Sequence, residues 1–544
     1  MAFADHASDR STSRGKDPDR NTAKVYLVGG GIASLAAAAF MIRDGDIPGC
    51  DITILEELDV IGGSLDGSGT PQQGYVLRGG RMLESKYLCT FELFSSIPTL
   101  DGSRTVTQEI FEWNEAMKTS SKSRLVRDGH RQTAPQFGLS EKDILTIERL
   151  ALEPEAMLGK TSIADQFDPT FFGTNFWFMW CTTFAFQPWH SAVEFKRYLV
   201  RFAHMVAGFD RLQGIMRTVY NQYDSMVRPL QKWLDERGVH FEFNTRVADL
   251  ALREQDGDLT VTQIACERDG RASEIVVGAG DYVLVTLGSM TEASSLGAMD
   301  TAPELNGKED GGAWTLWETV AAGRPEFGRP SAFADHIDES KWVSFTTTLH
   351  DPTFLHIVRD LTGNVAGEGG LITFPDSNWL ASIVIPHQPH FIGQPDGVSV
   401  FWGYGLSVDK PGNFIKKPMS ACTGREILSE VLGHLHIEAE ASKILGASIC
   451  IPCMMPFITS QFLRREKGDR PQIVPKGSKN LAFMGQFCEL PEDVVFTVEY
   501  SIRSAQTAVY SLLGLKREPP PVYQGRFDPR VIYKAFMALH DVGS

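Results

Sequence analysis

Residues 24–45 read KVYLVGGGIASLAAAAFMIRDG, and the fold is decided here. Lys24 to Val28 is a short apolar, β-branched run, Gly29 to Gly31 is a turn, and Ile32 to Ile42 is alanine-rich with no helix breaker. That order predicts strand, tight turn, helix. Gly29 and Gly31 take the first two glycine positions of the G-x-G-x-x-G fingerprint, and Ser34 takes the third, where a small residue still permits close helix-to-strand packing. The free amides and dipole at the start of such a helix accept a pyrophosphate, and a side chain at Gly31 would block its approach. A glycine triplet alone is a weak signal. Residues 51–59, DITILEELD, add a second strand ending in Glu56, about twenty-five residues past the glycines, where an acid binds ribose hydroxyls.

Pieces further along the chain point to a flavin rather than a nicotinamide dinucleotide. Gly62-Gly63-Ser64-Leu65-Asp66-Gly67 follows the second strand directly, where two-dinucleotide-binding-domain flavoproteins place another glycine turn. RGVHFEFNTRVADLAL (237–252) pairs a short strand with a hydrophobic stretch around Val247, and DYVLVTLGS (281–289) is one more strand closing on a glycine. Residues 479–513 run through a strand, Gly485, a loop and a helix whose Val498, Ser501, Ile502, Ala505 and Ala508 keep helical spacing. The expected fold class is therefore α/β, a two-dinucleotide-binding-domain flavoprotein with a Rossmann-like FAD domain, an inserted α+β substrate domain and a C-terminal helical segment. The FAD domain is expected to be discontinuous, over 24–100, 237–330 and 450–513. Substrate elements are expected from 101–236, mainly helical, and from 331–449, with strands; CTGREILSEVLGHL (422–435) reads as a helix capped by Thr423. A linker and helix fill 514–544, and residues 1–23 read as a disordered leader without the apolar core of a secretory signal.

Composition narrows the function. The chain has 544 residues, 42% hydrophobic and 22% charged, and no apolar run near the ~20 residues that cross a bilayer. A cytoplasmic location is expected. The net charge of -16 argues against nucleic acid as a partner. The eight cysteines are scattered, as reduced thiols would be, and no metal site is expected; the lone pair Cys450-Ile-Pro-Cys453 lacks the second ligand pair a zinc site needs.

Five longer stretches carry a family resemblance: RDGDIPGCDITILEELDVIGGSLDGSG (43–69), GYVLRGGRMLESKYLCTFELFSSIPTL (74–100), FFGTNFWFMWCTTFAFQPWHSAVEFKRYLVRF (171–202), TVYNQYDSMVRPL (218–230) and CTGREILSEVLGHL. They resemble the FAD-dependent fatty acid hydratases, the oleate hydratase or myosin-cross-reactive-antigen family, from about Lys24 to about Leu513. The resemblance implies addition of water across the cis-9 double bond of an unsaturated free fatty acid to give a 10-hydroxy product, with FAD required although no net redox change occurs. In the family the loop at Arg78, Gly79, Gly80 and Arg81 continues with a glutamate taken to orient or deprotonate the attacking water; here that position is Met82. A thioether accepts no proton at neutral pH, so that role does not carry over. Glu84 is the nearest acid; it would share Met82's face in an extended segment and point elsewhere in a helix. The family's proton-donating tyrosine matches Tyr198 in SAVEFKRYLVRFAH (191–204), with Tyr220 and Tyr223 as rivals. A phenol stays protonated at pH 7 and can donate.

The aromatic run FFGTNFWFMWCTTFAFQPW (171–189) reads chiefly as core, with part of it available to line an acyl tunnel. Head-group contacts are expected from Gln222 and from FPDSNWLAS (374–382) through Asn378 and Ser382, with His387 and His390 as alternatives. The tail helix in DPRVIYKAFMALHDV (528–542) starts at Pro529 with an apolar face. Docking on its own domain is expected over peripheral membrane contact, and the assembly is expected to be a monomer or homodimer. A flavin-dependent fatty acid isomerase, desaturase or oxidase shares this framework, as does a non-catalytic FAD-containing lipid-binding protein.

Overall fold

The computed structural model describes residues 23–540 except Ala134; the leader expected over 1–23 lies, but for Ala23, outside the described residues. Its first layer is a five-stranded parallel sheet in the order Leu481–Met484, Tyr282–Thr286, Val25–Val28, Ile52–Leu55, His240–Glu242. Val25 pairs with Tyr282 on one side and Ile52 on the other. Strands buried on both faces need continuous apolar sequence, and VYLV is buried throughout. The helix Ile32–Arg43 covers the sheet with ten buried residues, half of them alanine. Small side chains let it lie close to the sheet and to the helix Val498–Leu512, with which it packs. Beside the sheet stands an antiparallel meander, Thr245–Gln255, Asp258–Arg268 and Arg271–Val276.

The second layer is an eight-stranded sheet in the order Ser295–Leu296, Ser448–Met455, Trp342–Leu349, Ser399–Gly405, Ala381–Val384, Leu371–Thr373, Leu125–Arg127, His130–Gln132. Two boundary features differ from the sequence expectation. Strand Ser448–Met455 runs antiparallel to Trp342–Leu349, so a boundary at 450 cuts through an element of the substrate sheet. Region 101–236 also donates two strands to this sheet, because Leu125 pairs with Thr373. Cys450 and Cys453 both lie in strand Ser448–Met455, buried, with thiols pushed up to about 12 by burial.

Aromatic residues fill the space between the helical insert and the sheets. Phe171, Phe176, Trp177, Trp180 and Phe186 are buried, with Phe176 stacked on Trp180 at 5.4 Å. This part of the 171–189 run is core, as the sequence implies. The tail helix Pro529–Leu539 begins at the expected proline, is capped by Asp528 and packs against Ala203–Arg211. Its Ile532, Tyr533 and Phe536 remain exposed. Among the described residues no helix is long and apolar enough to cross a membrane.

Candidate functional site

The carboxyl ends of the parallel strands open into a cleft with about 1470 Å³ of empty space. Gly29 sits at φ +90°, a conformation that favours glycine, and turns the chain from strand into helix. No side chain caps the Ile32 helix, and its first turn carries no acid, so its free amides face the cleft. A Cβ built on Gly31 would meet no protein atom within 4 Å; the room beside this residue belongs to the cleft. Gly63, at φ +54°, backs onto the Gly31 Cα. Glu56 reaches across the turn, accepting from the Gly30 amide at 2.5 Å and the Leu58 amide at 2.9 Å. Burial is the larger influence on its carboxyl and raises its pKa. Ser34 faces Thr286 at 3.3 Å between their hydroxyl oxygens. Val247, Ser64, Arg78 and Gly485 line the same cleft. Arg78 is fixed by Asp66 at 2.8 Å and by the carbonyls of Thr291 and Gly63.

The loop Gly79–Met82 separates this cleft from two further cavities. A Cβ on Gly80 would lie 3.1 Å from the Trp402 ring, so glycine lets the backbone pass that indole. Arg81 donates to the Ser64 carbonyl at 3.3 Å, stacks over Phe496 at 5.3 Å and has no carboxylate partner among the described residues. Burial pushes its pKa down to about 10, which still leaves a cation at neutral pH. Phe496 is held at φ +67°, costly for a bulky residue. Gln486 offsets that strain: its Oε1 accepts from the Phe496 amide at 2.5 Å, and its Nε2 donates to the Thr497 carbonyl and the Ser501 hydroxyl.

One cavity, with about 860 Å³ of empty space, lies beyond the loop; Arg81, Met82, Glu84, Tyr87, Phe184 and Tyr198 are among its walls. It shares Ser64, Gln486 and Ser501 with the large cleft. Tyr198, on the helix Ala192–Arg201, is buried and donates to the Val495 carbonyl at 2.5 Å. Desolvation holds its phenol well above the usual range. Glu84 lies in the short strand Leu83–Glu84 paired with Ile215–Met216, and this extended geometry puts it on the Met82 side. Its carboxylate accepts from Arg201 at 2.8 Å and the Lys86 amide at 2.7 Å. Burial raises its pKa, but the His204 hydrogen bond and the Arg201 charge outweigh burial and leave it below the usual range. A carboxylate so engaged is a poor base.

The other cavity, with about 730 Å³ of empty space, shares Gly80, Arg81 and Met82 with the first and ends in a polar cluster. Gln222 is only 7% exposed, and both its amide atoms are buried without a partner. Arg217 likewise leaves Nε and Nη2 unpaired, and His390 its Nδ1. Asn114 fixes the Arg217 backbone with two hydrogen bonds, at 2.8 and 2.7 Å. Burial pushes Arg217 down to about 10; burial first, then the Arg217 charge, pushes His390 down to about 3. Arg217 is thus a cation beside a neutral imidazole and a free carboxamide.

The sequence-derived site residues divide accordingly. Gly29, Gly31, Glu56, Gly63, Ser64, Arg78, Val247 and Gly485 line one cleft, and Met82, Glu84 and Tyr198 another cavity with Arg81. Asn378 and Ser382 are a correction, since they border none of these cavities. The Asn378 side chain is tied to the Pro411 carbonyl in an exposed loop, and the Ser382 hydroxyl faces Thr373 inside the sheet. Of the alternatives, His387 and His390 do line the cavity that holds Gln222. Arg217, Tyr87 and Gln486 escape sequence reading; the proximity of Arg217 to the YNQYD motif was the one available signal.

Comparison with known proteins places the chain. A model of the MCRA family matches residues 22–510. The chain belongs to the MCRA family. Family relatives include an oleate hydratase from Streptococcus pyogenes serotype M49 (strain NZ131), 40% identical over 95% of this chain and 90% of the relative. A linoleate hydratase from Lactiplantibacillus plantarum is 33% identical over 95% of this chain and 98% of its own. Among solved structures, cyclohexylamine oxidase from Brevibacterium oxydans superposes with a TM-score of 0.51 at 12% identity, covering 91% of this chain and 100% of that one. Putrescine oxidase gives 0.52 at 12% identity, covering 90% and 99%. The family member described here thus has the α/β fold of the two-dinucleotide-binding-domain flavoproteins.

Proposed function

We propose that this chain is an FAD-dependent fatty acid hydratase, a hydro-lyase that adds water across the cis-9 double bond of an oleate-type free fatty acid. The observation that carries the reading is the chain of cavities: the dinucleotide cleft, the Tyr198 cavity and the Arg217–Gln222 cavity are joined through shared walls at Ser64 and at Gly80–Met82. The cleft suits FAD. The uncapped helix start and the space beside Gly31 would receive a pyrophosphate, Glu56 would hold a ribose, and Val247 would pack on an adenine. Because hydration involves no net redox change, FAD held in this cleft would supply shape and charge to the reaction and no electrons.

The chain's own residues do the rest. Arg217, Gln222 and His390 offer unpaired donors to a carboxylate, and an acyl chain running from them past Trp402 and Met82 brings its middle to Tyr198. Tyr198 holds a proton at its phenol oxygen, directed at the Val495 carbonyl, and rotation of the hydroxyl away from that carbonyl gives it to the alkene. The two hydratase relatives support substrate class and reaction. In the division proposed here the dinucleotide domain comprises 24–100, 237–330 and 456–513, and the enzyme works in the cytoplasm as a monomer or homodimer. Exposed Ile532, Tyr533 and Phe536 on the tail helix support a peripheral contact with fatty-acid-bearing membranes. The test is incubation of the FAD-loaded protein with oleate in oxygen-18 water. Label in the product hydroxyl is expected; an unlabelled product or stoichiometric peroxide overturns hydration.

A further inference from the structure

Hydration needs a group to hold the water that attacks, and residue 82 offers only a thioether. Of the other polar side chains around the Tyr198 cavity, Arg81 can only donate and Ser64 also borders the dinucleotide cleft, while those that could accept from a water beside Tyr198 are already engaged. Glu84 is bound by Arg201 and the Lys86 amide, Tyr198 by the Val495 carbonyl, Thr183 by the Met179 carbonyl, and Gln486 by Phe496, Thr497 and Ser501. Tyr87 differs. It stands at the start of the helix Leu88–Phe94, is 5% exposed, and lines this cavity. Its ring packs under the Arg201 guanidinium at 5.7 Å, yet no described residue hydrogen-bonds to its hydroxyl. Buried phenols ordinarily find a partner. A core role would be filled as well by phenylalanine, and the hydroxyl would then be a polar group left unpaired beside the charges of Glu84 and Arg201.

We propose that Tyr87 is a catalytic residue that binds the attacking water through its hydroxyl, in the place where Met82 cannot. The inference rests on the hydratase reading above. The step balances without a further reactant. The Tyr198 O–H bond breaks as its proton goes to one alkene carbon, and the water oxygen bonds to the other. The surplus proton on that oxygen passes to the Tyr87 oxygen, while Tyr87's own proton returns to the Tyr198 oxygen directly or through a second water. Both phenols end as they began, and the sum is alkene plus water giving alcohol. Burial, then the Glu84 charge, holds the Tyr87 phenol well above its usual range, so it enters each cycle protonated.

FAD-loaded wild type and Tyr87→Phe are compared with oleate, reading hydroxy acid formation, flavin absorbance and thermal unfolding. The substitution keeps the ring under Arg201 and removes a hydroxyl that no protein group uses. We expect kcat to fall about 100-fold or more, with KM, flavin content and melting temperature unchanged. A variant with wild-type kcat overturns the inference, and so does a fall in kcat that comes with lost flavin or a lowered melting temperature, which marks a structural role. If the wild type itself forms no hydroxy acid, the hydratase reading fails and takes this one with it. If the wild type hydrates and Tyr87→Phe does so equally, this inference alone fails.

Discussion

A methionine at position 82 sits beside an arginine that has no carboxylate partner among the described residues, and the two facts bear on each other. Arg81 is a buried cation whose guanidinium donates to the Ser64 carbonyl and lies over the Phe496 ring. A carboxylate introduced at 82 would enter next to it and remain ionised. Met82→Glu is therefore expected to hydrate oleate at the wild-type rate or up to about tenfold faster, measured as kcat; a collapse would reveal a packing role for the thioether. At the other end of the acyl path, Arg217→Met removes a charge-assisted donor worth about 1.5–3 kcal/mol. KM for oleate is expected to rise roughly 10- to 100-fold with a smaller change in kcat. The legible residues were those whose meaning is local. Glu56 ends a strand after a glycine turn, and that order can be read from the chain. Arg217 and Tyr87 matter because no described residue hydrogen-bonds to the Arg217 Nε and Nη2 or to the Tyr87 hydroxyl, and no spacing encodes that. Asn378 and Ser382 show the converse: polar residues between apolar ones look alike whether they face a cavity or close a loop.

Elements with their own punctuation were legible as well. Thr423 caps its helix with a reciprocal capping box, accepting from the Glu426 amide at 3.3 Å while Glu426 accepts from the Thr423 amide at 2.9 Å, and both residues stand three apart in the sequence. Strand Ser448–Met455 misled because chain order places it just before the cofactor strand Leu481–Met484, whereas its pairing with Trp342–Leu349 is set by contacts about a hundred residues away in sequence. The start of the Ile32 helix gives a test at this scale. A valine at 31 meets no protein atom at its Cβ, so the helix should fold, but its methyls fill the space a pyrophosphate needs. Gly31→Val is expected to purify with little or no flavin while its far-ultraviolet circular dichroism stays at the wild-type level.

The molecule as a whole carries ionisable groups in dry surroundings, and its stability must depend on pH. Burial pushes His190 and His390 down to about 3 from the ordinary value of 6.5. A folded pKa below the unfolded one means that the unfolded chain binds the proton first. The contribution is full above pH 6.5 and erodes as pH falls toward 3. Glu194, raised by burial but pulled down to about 2 chiefly by Arg470 and Arg465, adds a second loss between 4.5 and 2. Melting temperature is expected to decline in two stages on acidification, the first starting just below pH 6.5, before any carboxylate of ordinary pKa titrates. Replacing His190 with glutamine should shrink the first stage and leave the part due to His390.

The strand order of the parallel sheet has a consequence in time. Val25–Val28, the central strand, is made first, yet its neighbour Tyr282–Thr286 and then Leu481–Met484 arrive hundreds of residues later. At about 5–20 residues per second, a ribosome leaves the first strand and its alanine-rich helix waiting for tens of seconds before the final helix Val498–Leu512 emerges to cover them. The cofactor compartment is thus among the last parts of the protein able to assemble, although its fingerprint is among the first to be synthesised. A nascent chain must keep that apolar strand from pairing elsewhere until the far end of the message has been read.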